Sequence, residues 1–214
     1  MRVFIFILPY IFCPMANAQI LPSYGGERAG QSAFTFLKND MSVRSAGMGG
    51  ASAALPGDRY SGMQNPAGLS SLSSSSFALS HIQLGGNLSQ IGILTSIPNK
   101  KASSAWGLSL NRIQTPAYTE RTEFQPEGTG YKLYSSQTSA GLSYSKQLTE
   151  QFQLGITLKS ISESYTTGGQ NGTYNAFSAA ADVGFLYTTD LKDLRFAVLL
   201  RNFGGSSNLK GSYQ

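Results

Sequence analysis

The stretch Ser136-Gln137-Thr138-Ser139-Ala140-Gly141-Leu142-Ser143-Tyr144-Ser145-Lys146 puts Ala140, Leu142 and Tyr144 at every second position. Between them stand Gln137, Ser139, Gly141, Ser143 and Ser145. Successive side chains of an extended chain point to opposite faces, so this is a strand with one apolar and one polar face. The pattern recurs on both flanks. Phe152, Leu154, Ile156 and Leu158 oppose Gln153, Gly155, Thr157 and Lys159. Further on, Phe177, Ala179, Ala181, Val183, Phe185 and Tyr187 oppose Ser178, Ala180, Asp182 and Gly184. Weaker versions occur at Phe77 and Leu79, at Ile91, Ile93 and Ile97, at Trp106, Leu108 and Leu110, and at Phe196, Val198 and Leu200. The expectation is an all-β chain with seven strands of roughly 8 to 12 residues, the length a tilted strand needs to cross a bilayer.

Alternation alone does not separate a membrane barrel from a soluble sandwich, because both bury one apolar face. Three features favour the barrel. The polar faces are rich in Gly, Ser, Gln and Thr, with Lys159, Asp182, Arg195 and Arg201 spaced among them as residues facing a wet lumen, and only 13% of the chain is charged. Trp106, Tyr144, Phe152, Phe177 and Tyr187 fall near strand ends, where interfacial aromatic girdles lie. Connections alternate between short (98–104, 147–151, 188–194) and long (114–135, 164–175), the rhythm of periplasmic turns and external loops in an up-and-down barrel.

At the N-terminus, Arg2 precedes an apolar run from Val3 to Phe12, and Ala16-Asn17-Ala18 offers a cleavage site before Gln19. That is the layout of a cleaved secretory signal peptide over 1–18, and the run is shorter than the roughly 20 residues of a membrane helix. A lipoprotein signal ending at Cys13 is the lesser alternative. Cleavage removes the single cysteine, so neither a disulfide nor a thiolate metal site is expected. The formal charge of +5 falls to +4 without Arg2, too dilute for a nucleic-acid partner. With 24 glycines, 12 Phe and 11 Tyr, the composition is that of barrel strands.

The residues from 19 to 74 differ in character. They contain Val43-Arg44-Ser45-Ala46-Gly47-Met48-Gly49-Gly50-Ala51, then Asn65-Pro66-Ala67-Gly68-Leu69, then a serine-rich link. Phe34-Thr35-Phe36-Leu37, these two motifs and Asp58 between them resemble the start of the PorV/PorQ family of outer-membrane proteins, and more distantly the FadL-type transporters. Arg121-Thr122, Gly128-Thr129-Gly130, Gly155 to Lys159, Ala181-Asp182-Val183-Gly184 and Leu200-Arg201-Asn202-Phe203-Gly204 carry the resemblance across residues 33 to 205.

The resemblance implies a FadL-like transmembrane antiparallel barrel of about fourteen strands when complete. Residues 19–74 would form a small plug or hatch built on Arg44, Gly47, Gly49, Gly50, Asn65, Pro66, Ala67 and Gly68. Residues 75–214 would be a barrel incomplete at its C-terminus, unless an eighth strand lies between Gln19 and Ser76. Family members include components of the type IX secretion system of Bacteroidetes, where PorV-like proteins carry cargo to a surface attachment machine.

Two functions follow as expectations. One is a secretion component in the outer membrane of a Gram-negative bacterium, set among its lipid and lipopolysaccharide. Its external loops would grip secreted cargo or another secretion component through Arg121, Thr122, Tyr131 and Tyr165. The other is a passive transporter with a small apolar ligand. Catalysis is not expected: His81 is the only histidine, and Gly141-Leu142-Ser143-Tyr144-Ser145 lacks the second glycine of a nucleophile elbow. No cofactor or metal is expected, since neither a second histidine nor a phosphate-binding loop is present.

Overall fold

A computed structural model of the chain describes residues 34–167, 172–191, 194–205 and 210–212. The expected signal peptide, and residues 168–171 of the connection expected at 164–175, lie outside the described residues. The described chain belongs to one compact unit, Phe34–Gln214. It opens with short helical turns at Thr35–Lys38, Val43–Gly47 (α1) and Pro66–Ser71. The strands follow: β1 Ser76–Gln83, β2 Ser89–Asn99, β3 Ser104–Gln114, β4 Tyr118–Thr119, β5 Lys132–Gln147, β6 Phe152–Thr167, β7 Gly172–Thr188, β8 Arg195–Gly204 and β9 Lys210–Ser212.

All pairings are antiparallel and the main path is sequential, β1-β2-β3-β5-β6-β7-β8, with β4 on β5 and β9 on β7. The seven long strands coincide with the seven alternating stretches of the sequence. No eighth strand occurs at 34–75, where glycine and proline favour turns instead. No ladder joins β1 to β8 among the described residues, so the sheet is open.

Strands β5 to β7 run longer than their apolar cores, because polar residues beyond the alternation keep pairing. Tyr134 to Gln137 align with Thr166 to Glu163, and Tyr165 aligns with Tyr174. Tyr165 is therefore a strand residue and does not lie in a loop as expected from the sequence. Its hydroxyl donates to the Glu163 carboxylate. For the same reason much of the expected long connection at 164–175 is strand, β6 reaching Thr167 and β7 starting at Gly172.

Register sorts the side chains by face. Phe77, Leu79, Ile91, Ile97, Trp106, Leu108, Leu110, Leu142, Tyr144, Ile156, Leu158, Phe177, Phe185, Tyr187, Phe196, Val198 and Leu200 all lie on one face and are exposed. On the opposite face Gln90, Ser96, Ser143, Ser145, Thr157 and Asp182 are buried, five of them at 0% exposure. The polarity is thus the inverse of a soluble sheet, whose apolar face is the one covered. What covers the polar face is the chain's own segment 34–72. Part of that cover is apolar, with Phe36 and Leu37 against Ile161 and Ala180 and flanked by Phe34 and Ile113.

Within the polar face lies one fully buried ion pair. Lys159 Nζ of β6 stands 2.5 Å from Asp182 Oδ2 of β7. Beside it β8 bulges, the β7–β8 register shifting between Ala181 and Val183. A bulge turns backbone groups out of the ladder, and here a side chain receives one. Asn202, at φ 56°, donates its backbone N–H to Asp182 Oδ1 at 2.7 Å and accepts from Lys159 Nζ at 2.9 Å. Lys159 and Asp182 face the covered side of the sheet, where they form a closed triad with Asn202. Paired charges survive burial only when each is answered. Replacing Asp182 with Ala strands a buried ammonium and a backbone N–H, and is expected to destabilise the fold by about 3–5 kcal/mol. The double replacement Lys159→Met with Asp182→Leu recovers most of that loss, as read from chemical-denaturation midpoints.

Candidate functional site

The site is the contact between the Asn65-Pro66-Ala67 turn and the covered face of the sheet. Pro66 suits the first position of a helical turn because its missing N–H would be unpaired there. Asn65, before it, is extended and caps the turn, its side-chain oxygen accepting from Ala67 N at 3.0 Å. The Asn65 amide nitrogen donates outward, to Ala53 O at 2.7 Å and to Phe185 O of β7 at 3.3 Å. One side chain therefore closes its own turn, holds the preceding loop and bonds the wall.

The wall is cut to receive it. Gly155 of β6 and Gly184 of β7 are direct cross-strand partners. A Cβ on Gly155 would stand 2.2 Å from Ala67 N and from Pro66 C, and one on Gly184 would stand 2.0 Å from Asn65 Oδ1. Neither leaves room for any side chain, so the two glycines form a notch filled by the Pro66–Ala67 backbone at Gly155 and by the Asn65 side chain at Gly184. Strand glycines commonly mark such close approach. Gly107 of β3 similarly meets Leu69, which is fully buried, and Gly92 of β2 meets Met41.

Hydrogen bonds surround the notch. Ser145 Oγ donates to Ala67 O at 2.8 Å and accepts from Ser70 N at 3.3 Å. Ser70 and Ser71 hydroxyls donate to Gln153 Oε1 at 3.3 and 2.9 Å. Asn39 donates to Gln90, which donates to Asn111, at 2.7 and 2.9 Å. On β8, Arg201 reaches from the bulge to Met63 O at 2.9 Å and Leu37 O at 3.4 Å. Backbone carbonyls of the cover are thus answered by the polar wall, as buried acceptors require.

The structure separates residues that the sequence groups together. Asn65, Pro66, Ala67 and Gly68 are buried in the notch. Arg44, Gly47, Gly49 and Gly50 form an exposed turn, with Gly49 and Gly50 at positive φ and Arg44 3.8 Å from Asp58. Arg195 opens β8, half-buried and far along the strand from the Asp182 triad. Arg121, Thr122 and Tyr131 belong to an exposed loop closed by Glu120 N to Tyr131 O at 2.9 Å. At the tip of that loop Phe124 is 92% exposed.

Gly155, Gly184, Ser145 and Gln153 escape a sequence reading that assigns the polar face to water. Their one signal was glycine recurring inside well-formed strands. Between the cover and the sheet remains a cavity of about 390 Å³ whose lining includes Asp40, Gln64, Asn111, Lys159 and Arg201. In this lining the Lys159 ammonium is held by Asp182 and Asn202. His81 stands apart, exposed on the opposite face.

No family model, no curated protein and no solved structure matches the chain. Among the described residues no helix is long and apolar enough to cross a membrane.

The notch yields a direct test. Gly155→Ala forces the Pro66–Ala67 backbone off the wall and is expected to cost about 1–3 kcal/mol through overpacking. It should also raise the thiol-labelling rate of a second substitution, Ala67→Cys, well above that of Ala67→Cys alone. Unchanged labelling would mean that the turn does not depend on the notch.

Proposed function

We propose that this chain builds the wall and plug of an outer-membrane β-barrel of the PorV/PorQ type, a non-catalytic component of protein secretion that binds cargo or partner proteins. The observation that carries the reading is the inverted polarity of the sheet: a continuous apolar face is exposed while the polar face is covered. Each large apolar side chain left in water forgoes about 1.5–3 kcal/mol of burial, so such a face calls for an apolar solvent. Acyl chains supply it, and strands cross a membrane as barrels because every backbone group is then paired.

The dimensions agree. On β3 the outward residues from Trp106 to Leu110 are bracketed by Ser104 and Arg112. The eight rises from Ser104 to Arg112, at about 3.4 Å each and tilted by about 40°, give an upper bound of roughly 21 Å for the apolar depth, within the 25 Å apolar band of outer-membrane barrels. Trp106 packs tilted against Tyr144, with centroids 4.7 Å apart, near the short-turn end, where an aromatic girdle belongs. Export by a cleaved signal peptide brings the chain there, among outer-membrane lipid and lipopolysaccharide.

Binding is favoured over transport because the plug is fastened. A hatch that opens for a solute must leave its seat, whereas Asn65, Ser145, Gln153 and Arg201 bond this one to the wall around a notch without slack. The loop at 118–131 supplies the contact surface, with Phe124 and Tyr131 as aromatic anchors of the kind that dominate interfaces. A second reading, FadL-like passage of small hydrophobic compounds, draws on the apolar cluster of Phe36, Leu37 and Ile161 behind the plug.

The two readings part in cells. Deleting residues 121–130 is expected to leave outer-membrane recovery intact and to strand secreted proteins in the periplasm. Asn65→Ala with Pro66→Ala tests the hatch by apolar-solute uptake. Normal secretion in the loop deletion with altered uptake in the hatch variant reverses the assignment, and recovery of the wild-type chain in the soluble periplasm removes the membrane reading altogether.

A further inference from the structure

Among the described residues, the outward face of the long strands carries no carboxylate. Glu163 and Asp182, the acidic residues of the long strands, both point to the covered face. On the long strands the outward charges are Lys132 and Arg112 toward the long-loop end and Lys146 toward the short-turn end. Arg112 differs from the two lysines in its setting. It lies within the sheet, directly paired with Thr138 of β5, which is paired with Ser162 of β6. These three side chains stand in one outward row about 10 Å wide, given strands about 4.8 Å apart. Arg112 has no ion-pair partner among the described residues, and the two hydroxyls beside it face the same way.

One row further along, Leu110, Ala140 and Ser160 are aligned, and in the next row Leu108, Leu142 and Leu158. Small side chains at Ala140 and Ser160 leave a dent walled by Leu108, Leu142 and Leu158. It is a groove of about 400 Å³ on the exposed face. The groove therefore begins about 7 Å along the strand from a row of one guanidinium and two hydroxyls, and runs away from it among leucines.

We infer that Arg112, Thr138 and Ser162 bind the phosphate headgroup of an anionic membrane lipid whose acyl chain lies in the groove over Ala140 and Ser160. The inference rests on the membrane reading above. Charge complementarity selects the occupant. A guanidinium offers paired donors to phosphate oxygens, and the hydroxyls take those left over. A zwitterionic lipid would bring its own cation against Arg112, and a protein partner packed on small residues would leave the guanidinium unanswered. Since Arg112 stands toward the long loops, the lipid belongs to the external leaflet in the orientation expected of such barrels.

The test uses the full chain in detergent with equimolar dioleoyl phosphatidylglycerol and dioleoyl phosphatidylcholine, read by native mass spectrometry. Flotation with phosphatidylcholine vesicles runs in parallel. The wild type is expected to float and to retain a single phosphatidylglycerol at least about fivefold over phosphatidylcholine. Arg112→Gln brings that ratio to about one, Arg112→Lys keeps part of the preference, and Ser160→Leu removes the adduct while flotation persists. Equal retention of both lipids by a floating wild type overturns the site alone. So does an adduct that ignores Arg112→Gln, or a dimer lost in Ser160→Leu, which would assign the groove to a second copy. A chain that does not float overturns the site together with the membrane reading.

Discussion

A backbone turn lies against a sheet wall at the one place where two facing strands have no side chains. Gly155 and Gly184, cross-strand partners, let Asn65, Pro66 and Ala67 approach to within contact of strand backbone, and Asn65 bonds a wall carbonyl once there. The rest of the covered face is arranged around that approach. It sets where Leu69 meets Gly107, and it brings the carbonyl of Ala67 to Ser145. Van der Waals contact at this range falls off steeply, so the notch acts as a register mark for the whole segment 34–72.

With that segment seated, the polar face of the sheet becomes an interior. Its serines, threonines and glutamines are not solvating groups but donors and acceptors matched to the cover, and the Lys159–Asp182–Asn202 triad is the limiting case of a charge pair fully withdrawn from solvent. The bulge at Arg201 and Asn202 serves both sides of this arrangement. It turns one backbone N–H toward Asp182 and sends one guanidinium to the carbonyls of Met63 and Leu37. The apolar face is thereby left as the outer surface, and its need for an apolar surrounding underlies the proposed membrane setting.

Strand positions were legible because a period of two survives any tertiary context. The seven alternating stretches became seven long strands, and the split of each into faces, such as Leu142 and Tyr144 against Ser143 and Ser145, follows from pleat geometry alone. Strand length was not legible. Tyr134 to Gln137 and Glu163 to Thr166 carry no apolar alternation, and only pairing with each other makes them strand. That is why Tyr165 reads as loop in the sequence and stands in β6 in the fold. Of the site, the Asn65-Pro66 turn was visible through its capping chemistry, whereas the role of Gly155 was not, because a glycine in a strand announces proximity without naming what approaches.

The amino-acid sequence by itself determined the all-β class, the strand order along the chain and which residues share a face, since these depend on local backbone geometry and side-chain polarity. Only the tertiary structure decided what the polar face meets. Residues 120 positions apart, Asn65 and Phe185, come into hydrogen-bonding contact through packing of a turn into a notch. Neither partner carries a local signal of the other, because the free energy of such a contact resides in the shape that both acquire once the chain has folded.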